Sequence, residues 1–278
     1  MPELPEVETT LRGIAPHLEQ QRLIAWRVLN SALRWPVDIP VALAGQVVLR
    51  LRRRGKYIIV EFAAGGMILH LGMSGSLRLV PRDTPLLKHD HVEWDFGGPV
   101  LLRLNDPRRF GCVLWQAGDV DTHRLLARLG PEPLGNAFSG DHLKELARGK
   151  RVAVKPFLMD AGVVVGVGNI YANEALHLAG VRPTRSVRRI PAARFDHIAS
   201  AVRRVLAEAI TQGGTTLRDF ISPEGKPGYF RQRLLVYDRT GEPCRRCGSA
   251  IVGRVLGGRG TFYCPECQPS QGFGPAAC

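Results

Sequence analysis

The chain has 278 residues, 45% of them hydrophobic and 23% charged, a mixture that buries a core and excludes a disordered tail or a collagen-like repeat. Its 38 Lys and Arg against 25 Asp and Glu leave a net charge of +13, and an excess of that size favours a polyanionic partner, nucleic acid first. No apolar run approaches the ~20 residues of a membrane span, and no basic helix with an aromatic apolar face points to a membrane surface.

The charge is uneven, +4 over residues 1–130 and +9 over residues 131–278. Arg outnumbers Lys 32 to 6, which suits bidentate phosphate binding, although genome base composition produces the same bias. The opening Met1-Pro2-Glu3-Leu4-Pro5-Glu6-Val7-Glu8 is acidic and has no apolar h-region, so the expectation is a protein without a signal peptide that stays in the cytoplasm.

In chain order, Pro5 to Leu11 predicts a short helix, with Pro and acids in its first turn and Gly13 near its end. From about Leu23 to Gln116, short β-type runs alternate with Gly, Pro and Asp: 47–49, 57–62, 67–71, 76–80, 101–104 and 112–115. Many short strands at this spacing predict a sandwich or barrel. Gly130-Pro131-Glu132-Pro133-Leu134-Gly135 is the best linker candidate. Beyond it, helical patterns cover Asp141 to Ala147, Asn169 to Ala179 and Ala192 to Thr211, where Phe195, Ile198, Val202, Val205, Leu206 and Ile210 recur at steps of three and four. The second half is mainly α until about Val236.

Cys244, Cys247, Cys264 and Cys267 form C-x2-C-x16-C-x2-C, the spacing of a four-thiolate structural zinc site. Two disulfides are the alternative, and a reducing compartment argues against them. Between the knuckles, Gly257-Gly258-Arg259-Gly260 presents one Arg on a turn between two candidate strands. Cys112, in an apolar strand, reads as core, and Cys278 as an incidental terminal thiol. At the other end of the chain, Pro2-Glu3-Leu4-Pro5-Glu6 passes as an ordinary helix start. The chemical alternative needs Met1 removed: Pro2 then becomes a free secondary amine beside the Glu3 carboxyl, the pairing that covalent catalysis with proton transfer requires.

Seven colinear motifs join the cysteines. They are Pro2-Glu3-Leu4-Pro5-Glu6-Val7-Glu8-Thr9, Arg54-Gly55-Lys56-Tyr57, His70-Leu71-Gly72-Met73-Ser74-Gly75, Lys88-His89-Asp90-His91-Val92, Asp106-Pro107-Arg108-Arg109-Phe110-Gly111, Val165-Gly166-Val167-Gly168-Asn169-Ile170-Tyr171-Ala172, and Gly225-Lys226-Pro227-Gly228-Tyr229-Phe230. Over nearly its whole length the chain resembles the bacterial formamidopyrimidine-DNA glycosylases. The resemblance implies an α+β multidomain fold: an N-terminal helix plus β-sandwich (2–130), a hinge (131–136), a helix-two-turn-helix domain with a lesion-capping loop (137–235), a four-cysteine β-hairpin zinc finger (236–270) and a disordered tail (271–278).

It also implies a function: excision of oxidised purines, 8-oxoguanine and formamidopyrimidines, from double-stranded DNA, followed by β,δ-elimination, by a monomer that carries one structural zinc ion. Carried over residue by residue, Pro2 is the nucleophile, Glu3 the proton donor and shuttle, and Glu6 a support. Lys56 is the proton donor for β-elimination, and Arg259 serves δ-elimination. Because the target nucleotide must leave the stack, Met73, Arg108 and Phe110 form the wedge that fills the gap, with Arg108 addressing the orphaned cytosine. His89, Arg108, Arg151, Lys155 and Asn169 are the expected DNA contacts, Asn169 at a helix N-terminus suited to an anion. Arg218 and Tyr229 belong to the lesion loop, with Arg218 where some family members have Lys. The rival readings are an endonuclease VIII-type enzyme for oxidised pyrimidines, which shares Pro2, Glu3 and the finger, and a zinc-finger DNA-binding protein without catalysis.

Overall fold

The computed structural model describes residues 2–214 and 233–276. The chain divides into two compact units, Met1–Arg128 with Ile210–Arg231, and Leu129–Ala209 with Gln232–Cys278. Arg218 and Tyr229, expected in a lesion loop, and Cys278 lie outside the described residues.

In the first unit, helix α1 spans Leu4–Leu18. Glu3 is its N-cap, and a reciprocal capping box ties Glu3 to Glu6, whose Oε2 accepts from the Glu3 backbone N–H at 2.8 Å. The helix runs one and a half turns beyond the predicted end at Gly13, because Ile14 and Leu18 extend the buried stripe begun by Leu4 and Val7. Burial of that stripe outweighs the helix-breaking tendency of Gly13 and Pro16.

Eight antiparallel strands follow: β1 (Ala25–Val28), β2 (Arg50–Arg54), β3 (Tyr57–Phe62), β4 (Gly65–His70), β5 (Ser76–Pro81), β6 (Asp90–Asp95), β7 (Val100–Asn105) and β8 (Cys112–Ala117). They make two four-stranded sheets, in the orders β1-β6-β7-β5 and β2-β3-β4-β8. Ile58, Val60 and Phe62 of β3 and Met67 and Leu69 of β4 share one core cluster with Leu77, Val92, Trp94, Leu102 and Leu104 of the other sheet, and with Val7, Ile14 and Leu18 of α1. That is the alternation of a sandwich closed by a helix. The predicted strand at 47–49 is reduced to a single bridge, Arg22 to Val47, and the ladder begins at Arg50.

Three connections cross between the sheets, the long one from β1 to β2 and two short ones, residues 71–75 from β4 to β5 (the first crossing) and residues 106–111 from β7 to β8 (the second crossing). The registers Arg54↔Tyr57, Tyr57↔His70 and His70↔Cys112 put the β2–β3 turn, the start of the first crossing and the end of the second at one end of the sandwich. The N-terminal half of α1 reaches the same end, since Glu8 pairs with Arg53 at 2.8 Å and Arg53 bonds the Gly55 carbonyl at 3.1 Å.

The second unit holds α2 (Gly140–Ala147), α3 (Val154–Leu158), α4 (Asn169–Leu178), α5 (Ala192–Thr211, whose last two residues fall in the first unit) and a hairpin of β9 (Val252–Leu256) and β10 (Arg259–Tyr263). The Pro- and Gly-rich stretch predicted as a hinge is bonded into this unit, Gly130 N–H to the Ala161 carbonyl at 2.8 Å and Val165 N–H to the Pro131 carbonyl at 3.2 Å. The tail departs from the expected disorder. Phe273 lies under the Arg185 guanidinium at 4.4 Å, and Gly274 N–H donates to the Gly180 carbonyl at 3.1 Å. Composition hides this anchoring, which rests on one aromatic ring and on glycines that let backbones touch.

Close backbone approach fixes the first crossing. Gly72 has φ +61°, and a Cβ there would sit 2.5 Å from the Gly111 nitrogen, whereas Gly118, with φ +69°, faces open space. Gly72→Ala is therefore expected to cost more than ~2 kcal/mol and Gly118→Ala about 1 kcal/mol, the left-handed penalty alone; chemical denaturation of the two variants measures the difference, and equal losses would contradict this packing.

Candidate functional site

Pro2, Glu3 and Glu6 are all buried at the start of α1. The Glu3 carboxylate accepts from the Glu6 N–H while the Glu6 carboxylate accepts from the Glu3 N–H, so side chain and backbone of the acid beside Pro2 are each tied by one bond of the box. Gly214, with φ +79°, comes against this pair: a Cβ there would meet Glu6 Oε1 at 3.0 Å. Lys56 is the second residue of a two-residue hairpin, and Gly55 before it has φ +57°, the left-handed first position that a type II′ turn demands. The half-buried Lys56 is thus presented on a rigid turn.

Beside it stands His70, a residue that the sequence reading quoted within a motif but gave no role. Its Nδ1 accepts from Gly72 N–H at 3.0 Å, leaving the Nε2 proton free to donate, and its ring packs against that of Tyr57 at 4.8 Å with a tilt of 48°. Burial, and then the charges of Lys56 and Arg34, push its pKa down to about 4. His70 is a neutral donor at physiological pH. Cys112, paired opposite it, is buried core as expected, and burial pushes its thiol up to about 12.

Met73, Arg108 and Phe110, the residues expected to form a wedge, sit on the two short crossings, and Asp106 ties both. This carboxylate is 0% exposed. Its Oδ1 accepts from Ser74 Oγ at 2.7 Å and from Arg108 N–H at 3.3 Å, and its Oδ2 from Gly111 N–H at 2.8 Å. Ser74 Oγ in turn accepts from Arg108 N–H at 3.1 Å. On this frame Met73 is half-buried, Arg108 is exposed, and Phe110 is 43% exposed with the Arg108 guanidinium 5.4 Å from its ring centroid. Arg109 takes φ +57°, a left-handed turn paid for by the staple beneath it. The signal for Asp106 was its place before Pro107, a turn-forming pair. His89, half-buried just before β6, accepts through its carbonyl from Asp106 N–H at 3.0 Å.

In the second unit, Asn169 opens α4 after Gly168, its Oδ1 buried and without a hydrogen-bond partner. Arg259 is exposed at the start of β10, after a Gly257-Gly258 turn with φ of +57° and +72°. What sets Arg259 in place is Lys155. Expected as a surface DNA contact, Lys155 is instead 1% exposed, and its Nζ donates to the Gly260 carbonyl at 2.6 Å and to Thr261 Oγ1 at 2.8 Å. An ammonium so short of solvent needs acceptors, and the hairpin supplies two of them. Asn173 adds a second tie, donating to the Asn169 carbonyl at 2.6 Å and accepting from Phe262 N–H at 2.9 Å. Arg151 is exposed and lies near Ser186, whose hydroxyl donates to its carbonyl at 3.1 Å.

The four cysteine sulfurs lie within 4.8 Å of one another. The closer pairs are Cys247–Cys264 at 3.4 Å, Cys267–Cys247 at 3.6 Å and Cys244–Cys267 at 3.9 Å. Tetrahedral zinc with Zn–S near 2.3 Å requires sulfurs roughly 3.8 Å apart, so the donor set fits the ion. Backbone N–H groups of Arg246 and Cys267 point at sulfur at 3.5 and 3.4 Å, and hydrogen bonds from Ser249 pull the Cys247 thiol down to about 6. Behind the sulfurs, Gln268 Oε1 accepts from Cys264 N–H at 3.0 Å and lies 3.2 Å from His177 Nδ1, tying the finger to α4.

A finger held by α3 and α4, in a chain whose first unit is a helix-closed sandwich, defines the class: a helix-two-turn-helix zinc-finger protein. Residues 1–113 match the formamidopyrimidine-DNA glycosylase N-terminal domain, residues 129–221 the corresponding H2TH domain, and residues 241–269 the zinc finger found in FPG and IleRS. The chain is 55% identical over 271 residues to the formamidopyrimidine-DNA glycosylase of Xanthomonas campestris pv. campestris, covering 96% of this chain and 100% of that one, and 55% identical over 270 residues, at the same coverage, to the enzyme of Methylococcus capsulatus. Its fold matches the crystal structure of the MutM (Fpg) protein of Thermus thermophilus with a TM-score of 0.87 at 37% identity, covering 96% of this chain and 98% of that one. The Lactococcus lactis Fpg in complex with DNA containing an abasic site matches with a TM-score of 0.88 at 31% identity, covering 96% and 100%. The chain belongs to the formamidopyrimidine-DNA glycosylase family.

Two outcomes follow. Unfolding exposes His70 to its ordinary value of 6.5 while the folded ring holds near 4, so between these values the unfolded chain binds the extra proton and stability falls as pH drops. The melting temperature of wild type relative to His70→Gln is expected to decline from about pH 6.5 to pH 4, and a constant difference would contradict the buried neutral ring. Lys155→Met is expected to raise amide hydrogen exchange at residues 259–262 by about tenfold, roughly 1.4 kcal/mol of lost protection; unchanged exchange would remove Lys155 as the strut of this hairpin.

Proposed function

We propose that the protein is a DNA glycosylase and lyase of base excision repair that removes oxidised purines, 8-oxoguanine and formamidopyrimidines, from double-stranded DNA and acts as a monomer. The observation that carries this reading is the buried pairing of Pro2 and Glu3 at a capped helix start. Supporting it, relatives of the same family are recorded with DNA: the Lactococcus lactis Fpg in complex with Fapy-dG containing DNA has a TM-score of 0.86 at 32% identity.

With Met1 removed, the Pro2 secondary amine adds to C1′ of a flipped nucleotide as the glycosidic bond breaks, and the departing base takes a proton supplied by Glu3. Opening of the sugar, with a proton shuttled by Glu3, leaves the amine as a cationic iminium. Loss of the C2′ proton then expels the 3′ phosphate, with Lys56 as proton donor, and Arg259 serves the second elimination on the 5′ side. Glu6 keeps Glu3 in register through the capping box. Met73 and Phe110 fill the space that the flipped nucleotide leaves, and Arg108 addresses the orphaned cytosine. Asn169 and Arg259 take phosphates, the first by adding its amide to the N-terminus of α4. His89 and Arg151 are further backbone contacts, and Arg218 and Tyr229 belong to the loop over the lesion. A zinc ion held by Cys244, Cys247, Cys264 and Cys267 would supply structural stability to the finger that carries Arg259.

Borohydride trapping of the processed protein, on a duplex with 8-oxoguanine opposite cytosine and on one with thymine glycol, tests the reading. The expected result is an adduct on the first duplex that peptide mapping assigns to Pro2. An adduct favouring the second would assign the endonuclease VIII type, and none on either would leave a non-catalytic binder. Glu3→Gln is expected to slow base excision by about 10²–10⁴-fold while still trapping on a preformed abasic site; excision at the wild-type rate would overturn the role of Glu3.

A further inference from the structure

Loop 182–189 of the second unit is pinned to the segment before α3. Val154 N–H donates to the Arg185 carbonyl at 2.8 Å, Val187 N–H to the Val152 carbonyl at 3.0 Å, and Lys155 N–H to the Pro183 carbonyl at 3.2 Å. The two segments and Ser270 enclose a cavity of about 450 Å³ lined by Arg151, Arg182, Arg185, Arg188 and Arg189 together with Thr184 and Ser186. Five guanidinium groups thus share one concavity whose lining includes neither a carboxylate nor an apolar side chain.

Many arginines of the first unit have an acid: Arg12 and Arg53 with Glu8, Arg27 and Arg103 with Glu93, Arg50 and Arg52 with Glu61, Arg78 with Asp90 and Arg82 with Asp95. Among the described residues, none of the five around this cavity is in an ion pair. The Nε atoms of Arg182 and Arg185 are buried with no hydrogen-bond partner. Arg182 is fixed by its guanidinium, 4.6 Å from the Tyr263 ring centroid. Arg185 spends Nη2 on the carbonyls of Pro269, Ser270 and Gly272 at 3.3, 2.9 and 2.6 Å. Burial, and then Arg182 and Arg189, lower the Arg185 pKa, which is the signature of cations crowded without a counter-charge.

Like charges held together by the backbone repel, and only an anion in the cavity relieves the cost. The lining also narrows the ligand. It offers guanidinium and hydroxyl donors, the groups that bind phosphate oxygens, but no free aromatic ring to stack a base and no carboxylate or amide to read a base edge or a ribose. Without apolar side chains it has nothing for acyl chains. We infer that this arginine-lined cavity is an accessory phosphate site that grips the sugar-phosphate backbone of duplex DNA, independently of sequence and of damage.

Arg188 and Arg189 are exposed and bonded through their side chains to nothing among the described residues, so Arg188→Gln with Arg189→Gln removes two charges without touching the fold. Binding of undamaged duplex is measured against salt for wild type and this double variant, with inorganic tripolyphosphate titrated separately. Because undamaged DNA is used, the outcome stands apart from any failure of excision. On a duplex several helical turns long, the salt slope of the variant is expected to be shallower by about 1.8, or 0.9 per lost phosphate contact, so that its loss of affinity between 50 and 200 mM salt is roughly tenfold smaller. At a concentration of lesion duplex that saturates both proteins, the trapped fraction is expected to be the same for the two, since neither arginine lies in the proposed catalytic set. Identical slopes for the two proteins would overturn the inference. Identical slopes together with tripolyphosphate binding that only the wild type retains would reassign the cavity to a free polyphosphate.

Discussion

The Asp106 carboxylate is the constraint on which the working end of the sandwich depends. A crossing between two sheets leaves the hydrogen-bonded ladders, so its backbone groups need partners that neither sheet can supply. Asp106 supplies them for the second crossing, through Arg108 N–H and Gly111 N–H, and ties in the first through the Ser74 hydroxyl. Hydrogen bonds to a charged acceptor are each worth about 1.5–3 kcal/mol when buried. They hold two loops that would otherwise be the softest parts of the domain. Phe110 can therefore stand 43% exposed without collapsing onto the surface: its backbone has no freedom to carry the ring inward.

The second unit solves the same problem along one helix. Almost every residue of α4 is buried, and three consecutive contacts of its polar side chains reach segments far away in sequence. Asn173 holds Phe262 of the hairpin. Glu174 accepts from the N–H groups of Leu235, Val236 and Tyr237 at 2.7, 3.0 and 2.9 Å, fixing the chain as it enters the finger. His177 meets Gln268 beside the second cysteine knuckle. With Lys155 of α3 on Gly260 and Thr261, these groups bind the finger to the helices by buried polar contacts. Such contacts demand one geometry, since a small displacement leaves several polar groups unpaired together. The finger thus becomes a fixed platform for Arg259 rather than a module on a tether.

Those buried polar groups are also where sequence reading failed. The strands of β3, β4, β5, β7 and β8 and the helices α2, α4 and α5 were legible because apolar residues recur at the periods of strand and helix. Strand β2 was not: Arg50-Leu51-Arg52-Arg53-Arg54 reads as a solvated run until Glu61 across the ladder and Glu8 on α1 neutralise it. Strand β6 was hidden the same way, because Glu93 is buried against Arg103 at 2.5 Å. The four cysteines carry their chemistry in their own side chains, so their spacing reveals them, whereas Met73, Arg108 and Phe110 were expected from the family resemblance alone. Lys155 and Asp106 act through partners far off in the chain or in the loop they brace, and a residue type alone cannot tell a buried strut from a surface charge.

The same distinction governs what net charge means here. A total of +13 is compatible with any polyanion, and in the first unit much of the arginine content is spent on internal pairs that cross strands or join helix to sheet. Those cations stabilise the sandwich and add little to the field outside it. In the second unit acidic partners are scarce, and the residual positive charge gathers on loops that the backbone has already fixed. Fixed, unpaired guanidinium groups cost the folded state through mutual repulsion and repay it only when an anion arrives, so their free energy appears in binding rather than in stability. A chain of this composition therefore divides its arginines by physics: those with a carboxylate or carbonyl in reach build the fold, and those gathered without a counter-charge, as around loop 182–189, keep their charge for an anion.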